Sequence, residues 1–207
     1  MVSFVFASME QIWQNPAVSN NTIRWIQAPA YQVKVDSRFK YVGSVSFRIR
    51  DVAEGCRLVF VDGEDRTVKR LFIVQCESIL PSSTATYKYR LKDEIGGERF
   101  LCYAFAYSNA ITALDNPNDE AAVTANFLRG LGIDIPDLLI GSRFATIPDL
   151  AKKHELILFY FEPVPAGLGL GDLYSGEIST AKMHDLSPEY LARGRAVFSI
   201  SPRPPGE

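Results

Sequence analysis

Apolar and polar side chains alternate in two stretches of the first quarter of the chain, strictly in the first. Tyr31, Val33 and Val35 alternate with Gln32 and Lys34, and over 41–49 Tyr41, Val45, Phe47 and Ile49 fall on one face with Ser44, Ser46 and Arg48 on the other. A period of two is that of a strand with one buried face, so both stretches are predicted as half-buried antiparallel strands. Gly43 interrupts the apolar face of the second and marks a bulge, a bend or the close approach of another backbone.

The apolar density rises over 56–108, which reads as two consecutive β-hairpins round which the chain is organised. The first runs over 57–61, turns through the charged segment 62–67 and returns over 68–77. In the return strand Leu71, Ile73, Gln75 and Glu77 share one face and Arg70, Phe72, Val74 and Cys76 the other, so neither face is polar at its centre. Such a strand is predicted to be central and covered on both sides. A turn centred near Glu64 and Asp65 sets Cys56 opposite Ile73. The second hairpin closes on Gly96-Gly97, two residues that reach positive φ at no steric cost in a tight turn. Ile95 opposite Glu98 then sets Tyr87 against Ala106, Tyr89 against Ala104 and Leu91 against Cys102, a large-on-small core face. The other face lays Thr86, Lys88 and Arg90 over Tyr107, Phe105 and Tyr103 as a rim.

Either side of these hairpins the signals are shorter. Pro16 and Pro29 bracket a segment carrying Trp25, and Trp13 precedes it; both tryptophans read as core anchors, and Asn20-Asn21-Thr22 reads as the cap of a short helix. Asn116-Pro117, followed by Asp119 and Glu120, opens a helix over 117–130 with a stripe of Ala121, Ala125, Leu128 and Leu131 and glycine stops at 130 and 132. A turn of helix and a strand over 142–147 are expected next, then a polar connection over 149–154 and a strand over 156–161 that is apolar on both faces, hence central. The glycine-rich segment 167–171 is a loop, Ser187-Pro188-Glu189 starts a short helix ending at Gly194, and 196–201 is a last strand. The reading is one α+β domain over 1–201 with a disordered proline-rich tail over 202–207. Its architecture is an antiparallel meander of about eight strands curled into a barrel or cup, with the 117–130 helix packed on it. A two-sheet sandwich is the alternative.

Composition narrows the partners. At 207 residues, 47% hydrophobic and 22% charged, the chain can bury a core without staples. A net charge of −2 and an isoelectric point near 5.8 argue against nucleic acid or an anionic membrane surface as partner, and neither Arg48-Ile49-Arg50 nor Lys152-Lys153 reverses that. No run approaches a transmembrane span, so a soluble protein is expected, cytoplasmic or exported with its signal removed; the apolar start is an edge strand or the stub of such a signal. The sequence leaves the oligomeric state open. Three cysteines cannot all pair within the chain, and with Cys56 opposite Ile73 no intramolecular disulfide is expected.

No motif dictates chemistry. His154 and His184 have no G-x-S-x-G serine to serve and no metal-ligand spacing, and Gly167, Gly169 and Gly171 lack the spacing of a dinucleotide fingerprint and the lysine of a P-loop. Neither a cofactor nor a metal is expected, and whether the protein is an enzyme stays open. Glu77 and Glu162 stand out because each ends an apolar strand on a hydrophobic face, where a carboxyl can carry a raised pKa or pair with arginine. Nine tyrosines and thirteen phenylalanines, many on strands, suit a cup for a flat or apolar ligand. The lead expectation is a non-catalytic binding module for an apolar or aromatic small molecule, with a pocket bordered by Tyr87, Tyr89, Phe72 and Tyr160, together with Glu77 and Glu162, above Ala104 and Ala106. A protein–protein or envelope-associated structural role comes second, and a hydrolase or isomerase using Glu and Tyr residues third.

Overall fold

In the computed structural model, which describes residues 16–25, 31–64, 67–109, 119–176 and 178–202, the strands in chain order are β1 (Ala17–Ser19), β2 (Thr22–Arg24), β3 (Tyr31–Val35), β4 (Lys40–Ile49), β5 (Ala53–Glu64), β6 (Thr67–Ile79), β7 (Asp93–Ile95), β8 (Glu98–Ser108), β9 (Leu138–Thr146), β10 (His154–Pro163), β11 (Tyr174–Ser175), β12 (Ile178–Ser179) and β13 (Phe198–Pro202). The helices are α1 (Glu120–Gly130), α2 (Leu170–Leu173) and α3 (Ala181–Arg195). Seven strands form one antiparallel sheet in the order β4-β5-β6-β10-β9-β8-β7, and β1-β2-β3-β13 form a second. The class is α+β, mostly antiparallel sheet. No ladder joins β4 to β7, so the expected barrel or cup is an open sheet, and the expected eight strands are thirteen in three sheets among the described residues.

The alternation of β3 explains why the sheet does not close. Its buried Tyr31, Val33 and Val35 belong to one core with Leu58, Phe60, Phe72, Val74 and Tyr160 from the large sheet. The small sheet therefore lies against a face rather than extending an edge. The turn at Asp36–Phe39 makes the change of sheet: Asp36 accepts from the Arg38 backbone N–H at 2.8 Å, and Phe39, 1% exposed, drops its ring against Phe72 and Tyr160. Burying such a ring contributes ~1.5–3 kcal/mol. β1 and β2 join through Asn20-Asn21, both at positive φ, a two-residue hairpin turn where the sequence suggested a helix cap. Trp25 is core, as expected; Trp13 lies outside the described residues.

β6 and β10 are the third and fourth of the seven strands and buried on both faces, as their sequences predicted. The connection from β6 runs past the β9–β10 turn, where the Tyr87 N–H donates to the Lys152 carbonyl at 3.0 Å, and re-enters the sheet at its far edge as β7. The Gly96-Gly97 turn has the expected register over three pairs, with Ile95 opposite Glu98. Beyond Asp93 the hairpin ends. β8 lies between β7 and β9, and its long ladder runs along the other edge to β9, setting Ala104 opposite Ser142, while on the β7 edge the Ala106 N–H donates to the Tyr174 hydroxyl at 3.2 Å instead of meeting the 86–92 segment. Ala104 and Ala106 are small because the cluster of Leu173, Met183 and Tyr190 from α2 and α3 packs over them, not because tyrosines face them. In the first hairpin Glu64 stands opposite Thr67 and a bulge at Asp62/Gly63 slips the register by one more residue, so Cys56 stands opposite Cys76 rather than Ile73. Both thiols are buried and free.

Two helices differ from their sequence signals. α1 begins at Glu120, with Asp119 accepting from the Ala121 N–H at 2.7 Å; Asn116 and Pro117, the expected start, lie outside the described residues. α3 begins at Ala181, capped by Thr180, and carries Pro188 inside it, so the Ser-Pro-Glu signal is not its start. β9 is strand from Leu138, where a helical turn was expected, and α2 occupies part of the 167–171 loop. Of the tail expected over 202–207, Pro202 ends β13 opposite Tyr31, and 203–207 lie outside the described residues. No described helix is long and apolar enough to cross a membrane.

Candidate functional site

The face of the large sheet turned away from the small sheet carries the polar residues that stand out. Side chains alternate across a strand, so Arg57 and Val59 of β5, Leu71, Ile73, Gln75 and Glu77 of β6, Glu155, Ile157, Phe159 and Phe161 of β10, Arg143 of β9, and Tyr103, Phe105 and Tyr107 of β8 all point to this side. α1 lies over part of it. Gly43 of β4, at φ 135° and at a register shift, lets the helix come close: a Cβ there would stand 2.9 Å from Phe127 of α1.

At the end of this face near the β9–β10 turn, Glu77 and Glu155 are direct partners on β6 and β10, each at most 5% exposed. Glu77 accepts from the Gln75 amide and from the Tyr87 hydroxyl, the latter at 2.8 Å. Glu155 accepts from Arg143 Nη2 at 2.7 Å, while the Tyr89 hydroxyl faces it without closing a well-formed hydrogen bond. Burial, reinforced by the Glu77 charge, lifts the Glu155 carboxyl to about 7 against the pull of Arg143. Burial and then the carboxylates push the Tyr87 and Tyr89 hydroxyls up, so both remain protonated donors.

Gln75 links this pair to a buried arginine. Arg57, 6% exposed, donates through Nε to Gln75 Oε1, and through Nη1 to the Glu120 carbonyl at 2.6 Å and Thr124 Oγ1 at 2.9 Å in the first two turns of α1. Burial pushes its guanidinium below the usual value, and burial raises Glu120 against the opposite pull of Arg57.

Between α1 and the sheet lies a cavity of about 260 Å³, lined by Arg57, Leu71, Ile73, Tyr103, Phe105, Tyr107, Glu120, Ala121, Thr124, Ala125, Ile135, Arg143, Phe159 and Phe161. Its aromatic wall is a set of mutually packed rings: Phe105 stands edge-on to Phe161 at 5.7 Å and to Phe159 at 6.1 Å, and Tyr107 edge-on to Phe161 at 5.5 Å. Gly141 of β9 makes room beneath them, since a Cβ there would meet Phe161 at 2.7 Å and Phe105 at 2.8 Å. Arg57 and Arg143 stand 5.6 and 5.9 Å from the Phe159 centroid.

The residues predicted for the pocket divide between the two faces. Glu77, Tyr87 and Tyr89 come together on the α1 side, in the acid cluster beside the cavity. Phe72, at 0% exposure, and Tyr160, at 1%, lie on the other face inside the core under the small sheet. Glu162 is also there, accepting from the Tyr160 hydroxyl and paired with Arg193 of α3 at 2.9 Å. The cavity lies instead over the ring row of β8, read from sequence as a rim.

Sequence reasoning missed Arg57, Arg143, Glu120 and Glu155 as site residues. A signal for two of them exists: Arg57 interrupts the apolar run of β5, and Glu155 shares the parity of Ile157, Phe159 and Phe161 on a strand apolar on both sides. Among the described residues no group of three or more His, Cys, Asp or Glu is placed to hold a metal ion. Compared with models of protein families, with curated proteins and with solved structures, the chain matches none.

Proposed function

We propose that this protein is a non-catalytic binding module for a small apolar or aromatic molecule, held between α1 and the large sheet. The observation that carries the reading is the aromatic wall of Phe105, Tyr107, Phe159 and Phe161 facing the small side chains Ala121 and Ala125 across a cavity of about 260 Å³. A core built only for stability fills such a space with large side chains. At this volume, below the ~300–1,000 Å³ of drug-sized pockets, the fitting ligands have one or two rings.

Thermal shift with a panel of one- and two-ring aromatic compounds tests this, using the intact chain and Ala121→Phe, which fills the cavity from the helix side. The expected result is a concentration-dependent rise in Tm for part of the panel, lost in the variant at little cost in stability. A destabilisation of ~1–3 kcal/mol by Ala121→Phe together with no Tm response of the intact chain would mean a packed core and end the proposal.

A second reading rests on Glu155, whose pKa of about 7 is that of a general acid or base at neutral pH. Neither Glu155 nor Glu77 is among the residues lining the cavity, so acid–base chemistry on a molecule bound there has no direct contact to use. Binding ranks first for that reason.

A further inference from the structure

Arg57 is held by neutral acceptors. Its Nε hydrogen goes to the Gln75 amide oxygen and its Nη1 hydrogens to the Glu120 backbone carbonyl and the Thr124 hydroxyl. These fix the plane of the guanidinium without neutralising it. The nearest carboxylate, Glu120 Oε1, is 4.0 Å from Nη2, beyond hydrogen-bond length. Glu77 is reached only through Gln75. Among the described residues, Nη2 thus has no hydrogen-bonded acceptor, on a side chain that lines the cavity. A buried cation without a contacting counter-charge is costly, and a bound anion removes the cost.

We infer that the ligand of this cavity is a monoanionic aromatic or branched apolar acid, its carboxylate on Arg57 Nη2 and its body against Phe105, Phe159 and Phe161. The inference rests on the cavity being the binding site. Polarity within the cavity sets the orientation: Arg57 and Arg143 flank Phe159 at one end, and Leu71, Ile135 and Phe161 contribute apolar surface. The anion is a carboxylate rather than a phosphate dianion, because Arg143 donates Nη1 to Tyr103 and Nη2 to its counter-charge Glu155, and its Nε, though without a partner among the described residues, is buried away from solvent, which leaves Arg57 Nη2 as the donor offered to it. Glu120 is the resident competitor. Its side chain, 30% exposed, stands at the cavity margin and can turn to solvent when a ligand carboxylate takes its place.

Calorimetric titration of the full chain with a matched series of aryl and branched alkyl carboxylates and their primary amides tests this, with 3-phenylpropanoate against 3-phenylpropanamide as the first pair. The acid is expected to bind roughly tenfold or more tightly than its amide, the value of one added charge-assisted hydrogen bond. Glu120→Gln removes the competing charge and should raise the acid-to-amide ratio further; Arg57→Met should bring the ratio to one. Because Arg57→Met strips a buried anchor and can fail to fold, Glu120→Gln is the deciding variant. Amides that bind as well as acids, with a ratio unmoved by Glu120→Gln, would overturn the inference and leave the cavity as a site for neutral ligands. No binding by either series would remove the cavity reading as well.

Discussion

Glu155 shows how one residue's surroundings decide its charge. An ordinary glutamate has a pKa near ~4.3 in an unfolded chain. In the fold, burial and the neighbouring Glu77 charge raise it to about 7. The folded state therefore holds this proton more tightly than the unfolded chain. At low pH both states are protonated and the group is neutral to stability; as pH rises from about 4 the unfolded chain ionises first and stability falls, the full loss being present above 7. The loss is on the order of 3–4 kcal/mol at most. The facing groups are Glu77 of β6, Arg143 of β9 and Tyr87 and Tyr89 of the 80–92 connection. Glu155→Gln keeps an acceptor for Arg143 and removes the titration, so between pH 5 and pH 8 its stability should improve relative to the parent by up to that amount. Urea unfolding of both proteins at the two pH values measures it. Parallel profiles would mean that Glu155 ionises at its ordinary value.

At the scale of elements, the cavity exists because α1 is held at a set height above the sheet. The donors of Arg57 anchor its start, Leu128 is buried in the core of the sheet face, and Phe127 lies over Gly43 near its end. Gly43 carries a φ of 135°, which side-chain-bearing residues rarely adopt, and sits at the bulge of β4. Gly43→Ala should cost roughly 1–3 kcal/mol from backbone strain and push Phe127 outward. Chemical denaturation gives the cost, and a weaker Tm response to cavity ligands would report the displaced helix. A variant as stable as the parent would show that the bulge relaxes. The glycine was legible in the sequence as a bulge, a bend or the close approach of another backbone; it is a bulge, and the group that comes close is a side-chain ring. That Phe127 is the group approaching was not, because 84 residues separate the two and only the packing of α1 beside β4 joins them.

For the whole molecule, the large sheet is two meanders, β4-β5-β6 and β7-β8-β9-β10, joined along the β6–β10 ladder from His154/Ser78 to Phe161/Leu71. Both central strands are covered on both faces, so their amides should exchange last, at the free energy of global unfolding, while β4 and β7 at the edges exchange first. Hydrogen exchange read by mass spectrometry tests it. Earlier exchange along β6 and β10 than in the neighbours β5 and β9 would show the meanders opening as separate units.

The sequence by itself determined the local choices whose physics is local: the period-two strands β3 and β4, the two strands apolar on both faces that become β6 and β10, the Gly96-Gly97 turn and the bulge at Gly43. Each depends on neighbours within a few residues. Composition determined that a core could form and, with the density of aromatic residues on strands, suggested a place for an apolar ligand. Only tertiary structure decided which face that place occupies. The pairing of Glu64 with Thr67 and the one-residue bulge at Asp62/Gly63 together bring Cys56 to Cys76, the departure of the 80–92 connection from the edge of β8 separates Tyr89 from Ala104, and the packing of β3 and β13 against a face leaves the sheet open. These are competitions between long-range pairings of similar local quality, settled by the summed burial of strands far apart in the chain. Arg57, Arg143, Glu77 and Glu155 come from four strands, and their charges bear on one another because those choices set them on one face of one sheet.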